Sequence, residues 1–110
     1  MRILLVVTPE GLLRRFAAEG HAGMAAAGRN IACAAATVLL RTAGSVCAGR
    51  GIMAAGGAEA PGAMKLELSP VADADGAWLR GITDFLLRGV KDLQDEFPRE
   101  ITLRVETTEV

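Results

Sequence analysis

The sequence predicts an α+β fold, two helices packed on a small mixed, largely antiparallel sheet in the order β-β-α-β-β-α-β. Three observations carry this prediction. Residues 2–8 and 101–106 are short runs rich in aliphatic and branched side chains. Met64, Leu66 and Leu68 alternate with Lys65, Glu67 and Ser69, the period-2 pattern of a half-buried strand. Two longer segments, 31–41 and 78–97, repeat apolar residues at helical spacing. Strands and helices in this order bury their apolar faces most simply as helices layered on one sheet.

The elements follow in chain order. Arg2 to Thr8 reads as a buried strand stopped by Pro9. The turn Pro9-Glu10-Gly11 folds the chain back onto Leu12 to Ala18, whose irregular alternation fits either a second strand or a short helical segment. Glu19 to Arg29 is rich in Gly and Ala and reads as a loop. Asn30 is a suitable N-cap, because its side chain accepts from a first-turn N–H, and Ile31 through Arg41 then form a helix that is apolar nearly all round. Gly44 or Gly49 would end it. Gly49 to Gly62 reads as turns with a weak strand at Ile52 to Ala55. Asp73, Asp75 and Gly76 mark the next helix start. Trp78, Ile82, Phe85, Leu86, Gly89, Leu93 and Phe97 form its apolar face, and Pro98 closes it. Ile101, Leu103 and Val105 alternate in a last strand.

Composition bounds the function. The 110 residues fit a single domain spanning 1–110. With 51% hydrophobic and 23% charged residues, the chain is not of a disordered type. A net charge of −1 argues against direct nucleic-acid binding, which shows as clustered Lys/Arg excess. Aromatic residues are 4%, too few for a base-stacking platform. The longest apolar run, Ile31 to Leu40, is half the ~20 residues a membrane helix needs, so no membrane partner is expected. The run Ile3 to Val7 is shorter than a signal-peptide core, which makes the cytoplasm the expected compartment. If helix joins Cys33 and Cys47 over most of the interval, they lie about 15–20 Å apart, too far for a disulfide, which fits two free thiols in a reducing compartment. One His, two distant Cys and scattered acids do not make a metal site, and the glycines of 20–28 match no phosphate- or dinucleotide-binding pattern, so no metal or cofactor is expected.

The chemistry concentrates in one stretch. With Asn30 as cap, Cys33 is the third helical residue, where unsatisfied N–H groups and the helix dipole favour thiolate over thiol. His21, the only histidine, stands twelve residues earlier in the glycine-rich loop. Together they offer a nucleophile, a base, and N–H donors for an oxyanion. By residue type alone, a cysteine in an Ala-rich helix is more often a small core residue and a loop histidine more often simply solvated. Thr37, one turn after Cys33, either lines the site or bonds back to a helix carbonyl, the commoner role.

Gly20-His21-Ala22-Gly23, followed by Gly28-Arg29-Asn30-Ile31-Ala32-Cys33-Ala34-Ala35-Ala36-Thr37, resembles the signature of the ribosomal-processing cysteine proteases, the Prp family. That family has a Gly-His-Ala-Gly loop and a Gly-x-Asp-Ile-Val-Cys-Ala-Ala helix start, with the same His-to-Cys spacing. Gly89-Val90-Lys91-Asp92-Leu93, then Glu96-Phe97-Pro98 and Ile101, is similar to the family's second helix and closing strand. Asn30 departs from the usual Asp, and Met24 from a commonly bulky or aromatic residue, which bears on substrate preference.

The resemblance implies a cysteine endopeptidase that removes the N-terminal extension of a large-subunit ribosomal protein, the twenty-seventh, and that forms a homodimer. Carried over by position, Cys33 is the nucleophile and His21 the general base and acid. Gly20, Ala22 and Gly23 belong to a loop that closes over the peptide, with Asn30 and Thr37 beside the site. The rival reading is a non-catalytic ribosome-associated binding protein of the same fold, in which Cys33 merely packs. A thiol redox sensor is weaker, because Cys47 is too far away to resolve a sulfenic acid.

Overall fold

A computed structural model describes residues 1–20, 31–60 and 63–109. The order is β1 (Arg2–Val7), β2 (Leu13–Glu19), α1 (Ile31–Gly49), β3 (Met53–Ala60), β4 (Ala63–Leu68), α2 (Asp73–Glu96) and β5 (Thr102–Thr107). This is the predicted β-β-α-β-β-α-β order. The five strands form one sheet in the order β3-β4-β2-β1-β5. The β1–β2, β2–β4 and β3–β4 pairs are antiparallel, and β1–β5 is parallel. The sheet is therefore mixed and largely antiparallel.

The segment left open between strand and helix is strand β2, and a bulge explains its poor alternation. Val6 pairs with Arg15 but Val7 pairs with Leu13, so Arg14 is the extra residue. The insertion puts Leu13, Phe16 and Ala18 into the core together, although strict alternation would place Leu13 on the opposite side from the other two.

Both helices cover one face of the sheet. Ile3 and Leu5 of β1, Phe16 of β2, and Leu66 and Leu68 of β4 meet Ala32, Ala36, Leu40 and Ala43 of α1 and Leu79, Leu86 and Val90 of α2 in one buried cluster. Small side chains on α1 let it lie close to the sheet. Its outer face carries exposed Ile31 and Val38 (74% and 50% accessible), so a helix expected to be enclosed on all sides is half covered. At 19 residues it is also longer than the apolar run suggested, and its length and apolarity meet the requirement for a bilayer span. Its buried stripe here packs on the sheet as a core helix does.

Helix α1 ends at Gly49, the second of the two expected positions, and not at Gly44. The chain turns away at Gly51, at φ +78°, a left-handed conformation that suits glycine. Its N–H donates to the Ala48 carbonyl at 3.0 Å, and the Ile52 N–H donates to the Cys47 carbonyl at 3.2 Å. This pair of bonds is the Schellman arrangement, completed by burial of Ile52. Arg50 clasps the same end to α2, with Nε 2.9 Å from Asp75 Oδ1 and the guanidinium 4.7 Å from the Trp78 ring centre.

The stretch expected to be turns is mostly strand β3, eight residues paired with β4. Gly56 and Gly57 hid it, since glycine is depleted in strands. Two register shifts, at Met53/Ala55 and Gly57/Ala60, show how the ladder absorbs them.

The buried line of α2 is Leu79, Thr83, Leu86 and Val90. Of the expected stripe, Leu86 lies in this line; Trp78, Ile82, Leu93 and Phe97 sit at its border, and Phe85 is 71% accessible. Thr83 moves the centre. Its hydroxyl accepts from the Leu13 N–H at 2.9 Å and donates to the Leu79 carbonyl at 2.7 Å. A core threonine thus satisfies the β2 backbone beside the bulge. Asp73 and Asp75 occupy the first turn, where acids suit the helix dipole. Pro98 follows the end, as expected.

Candidate functional site

The site is built on the junction between β2 and α1. Gly20 leaves β2 at φ +89°, and a Cβ there would stand 4.0 Å from the Met1 Cα. The need for glycine is thus conformational rather than a matter of space. His21, Ala22, Gly23 and Asn30 lie outside the described residues. Helix α1 begins at Ile31, and Cys33 is its third residue. Its turn has no carboxylate, so no acidic side chain of that turn faces the sulfur's end of the helix.

The two cysteines sit on one helix in opposite situations. Cys33 is partly accessible, while Cys47 is fully enclosed and its burial pushes the thiol pKa up. They are separated by 14 residues of α1, roughly 21 Å of helical rise, so no disulfide links them. Cys47 packs, and Cys33 is the thiol that solvent reaches.

Thr37 takes the commoner of its two roles. Its Oγ1 donates to the Cys33 carbonyl at 2.8 Å, one turn back. The hydroxyl therefore braces the turn that carries the sulfur.

Sequence reading passed over a second feature on this helix. Cys33, Thr37, Leu40 and Gly44 follow the i, i+4, i+7, i+11 spacing of one stripe. Leu40 and Gly44 also line a groove of about 380 Å³ between α1 and the β3–β4 hairpin, completed by Met53, Gly56, Met64 and Leu66. Its only sequence signal was Met64 at the end of the alternating strand.

A family described as cysteine protease Prp matches residues 1–102 of the chain. The chain belongs to the Prp family of cysteine proteases. Comparison with solved structures agrees on the fold. A ribosomal processing protease Prp from S. aureus, in complex with a covalently linked product peptide, superposes with a TM-score of 0.77 at 19% identity, covering 96% of this chain and 98% of that one. The same protease in complex with a substrate peptide gives 0.74 at 18% identity, with 96% and 98% covered. A protein from Streptococcus mutans gives 0.76 at 22% identity, covering 97% and 94%. No curated protein matches the sequence. As a Prp cysteine protease the chain is a peptide hydrolase whose chemistry runs through a thiol, and Cys33 is the accessible one of its two.

Proposed function

We propose that this protein is an endopeptidase of ribosome maturation that removes the N-terminal extension of a large-subunit ribosomal protein, the twenty-seventh, through a Cys33–His21 dyad. The observation that carries the assignment of the nucleophile is the contrast on α1: Cys33 is reachable in the first helical turn, and Cys47 is sealed in the core. The family match and the similarity to the S. aureus protease support the substrate class.

In this reading the Cys33 sulfur, as thiolate, bonds to the scissile carbonyl carbon, and the negative charge moves to the carbonyl oxygen. In this reading the Cys33 N–H, in the first turn of α1, serves that oxyanion. The C–N bond then breaks, and the imidazolium of His21 gives its proton to the leaving amine. Neutral His21 next takes a proton from water, whose oxygen attacks the thioester. The new carboxylic acid leaves and the sulfur returns with its electron pair. Ala22, Gly23 and Asn30 are assigned in this reading to the segment that receives the peptide.

The reading includes a homodimer in the cytoplasm. Exposed Ile31 and Val38 on α1 and Phe85 on α2 support a partner subunit, because a 110-residue chain with few rings leaves this apolar surface uncovered. The test uses a synthetic peptide spanning the junction of extension and mature protein. Wild type cleaves at the junction; Cys33→Ala and His21→Ala lose the activity with their circular dichroism unchanged. Cleavage that survives Cys33→Ala would refute the dyad. Light scattering of Phe85→Asp reads the oligomeric state, and a dimer unaffected by that change would place its interface elsewhere.

A further inference from the structure

The groove between α1 and the β3–β4 hairpin has three properties that together define an occupant. Its walls are apolar: Leu40 from α1, Leu66 from β4, and the thioethers of Met53 and Met64 from the two strands of the hairpin. Methionine walls adapt to the shape placed between them. Its space depends on two missing side chains. Gly44 lies inside α1, where glycine is an unfavourable choice, and a Cβ there would stand 3.4 Å from Leu66 Cδ1. A Cβ on Gly56 would stand 3.1 Å from Met53 Sδ and 3.2 Å from Leu66 Cδ1. Either substitution would begin to fill the groove.

The third property is alignment. The groove lies on the stripe of α1 that begins with Cys33, and at 1.5 Å per residue Leu40 and Gly44 are about 10 and 16 Å along the axis from the sulfur. An extended peptide advances about 3.3 Å per residue. A chain attacked at Cys33 and running beside α1 therefore brings the side chain three to five residues from the cleaved bond over the groove.

We propose that this groove is the specificity pocket of the protease, taking one apolar side chain of the substrate three to five residues from the scissile bond. The proposal rests on the reading that Cys33 attacks a peptide. Gly44 and Gly56 keep the pocket open, and Met53 and Met64 mould its walls. A charged side chain at that substrate position would lose its water with no opposite charge among the lining residues other than at the rim, where Arg41 and Lys65 stand.

The experiment has a binding arm and a kinetic arm, both on the full chain. In the first, methyl-labelled methionine is followed by NMR in Cys33→Ala as the junction peptide is added, with Met1 as the internal reference. The Met53 and Met64 methyl signals should shift, and a peptide whose apolar residues in the window are replaced by Ser should leave them in place. Equal shifts with both peptides, shifts with neither, or shifts that follow protein dilution instead would overturn the pocket; the last would assign the groove to a second copy of the chain.

In the kinetic arm, Gly44→Leu fills the pocket and should raise KM for the apolar peptide by about tenfold or more with kcat nearly kept, the scale on which a hydrophobic pocket discriminates. Met53→Ala, at a position that is partly exposed and tolerant of truncation, should shift preference toward a larger side chain. Cleavage of both peptides at one KM leaves the protease standing and removes the pocket. Cleavage of neither peptide by wild type removes the proposed activity, and the methyl titration then decides the groove by itself.

Discussion

Native-state alkylation with iodoacetamide separates the two thiols on a scale that the fold sets. Cys47 has no accessible surface, and its side chain belongs to the core cluster with Leu40, Leu66 and Leu68. Reagent reaches it only when α1 leaves the sheet, which breaks the main cluster and so amounts to global opening. For a small domain that opening costs about 5 kcal/mol or more. At 1.4 kcal/mol per tenfold, the reactive population is then about 1 in 3,000 or less, a factor of that size by accessibility alone. Burial also raises the Cys47 pKa, which lowers its thiolate fraction further. Cys33, partly accessible in the first turn, meets the reagent in the native state. Quenched time points, digestion and mass spectrometry of the two cysteine peptides give both rates at neutral pH, and the same reaction in guanidinium gives the unfolded reference. Native rates within tenfold of each other would refute the argument that α1 presents one thiol and seals the other.

Two further perturbations test the packing. Thr83→Val removes the acceptor of the buried Leu13 N–H at nearly constant volume, so it should destabilise the fold by about 1–3 kcal/mol in urea denaturation; no change would mean that the bond beside the β2 bulge contributes nothing. Because the folded-state pKa of Cys47 lies above its unfolded value, both states are protonated below about pH 8.5. Above it the unfolded chain loses the proton first, so stability falls as pH rises toward the folded pKa. Cys47→Ala should flatten that alkaline slope while lowering stability at neutral pH, and an unaltered slope would assign it to other groups.

Much of this architecture could be read in the amino acids, and the failures have physical causes. Met64, Leu66 and Leu68 declared β4 because one face of that strand meets the core and the other meets water. Strand β3 was obscured because two glycines sit inside it and its alternation is broken by shifts of register that only the partner strand reveals. The α2 stripe was displaced because polarity was taken as exposure, whereas Thr83 is buried to serve a strand 70 residues away. The α1 end at Gly49 was legible only as one of two glycines, because the Schellman closure that follows is decided by backbone angle, and Gly51 alone of 44, 49 and 51 has the left-handed φ. The thiol of interest could be named from its place at a helix start. The groove could not, since its walls come from four elements and its space is made by side chains that are absent.

The position of β1 bears on how the chain is made. This strand lies between β2 and β5, so the Arg2–Val7 segment is bonded on one side within a hairpin and on the other to residues 102–107. A ribosome delivers the hairpin early and β5 about a hundred residues later. Until then an aliphatic strand, Ile3 to Val7, keeps one hydrogen-bonding edge open, the condition in which nascent chains pair wrongly with neighbours. Closure also spans nearly the whole sequence, which slows folding in a small domain. The sheet that supports α1 is thus completed late in synthesis, when β5 docks on the edge away from β3 and β4.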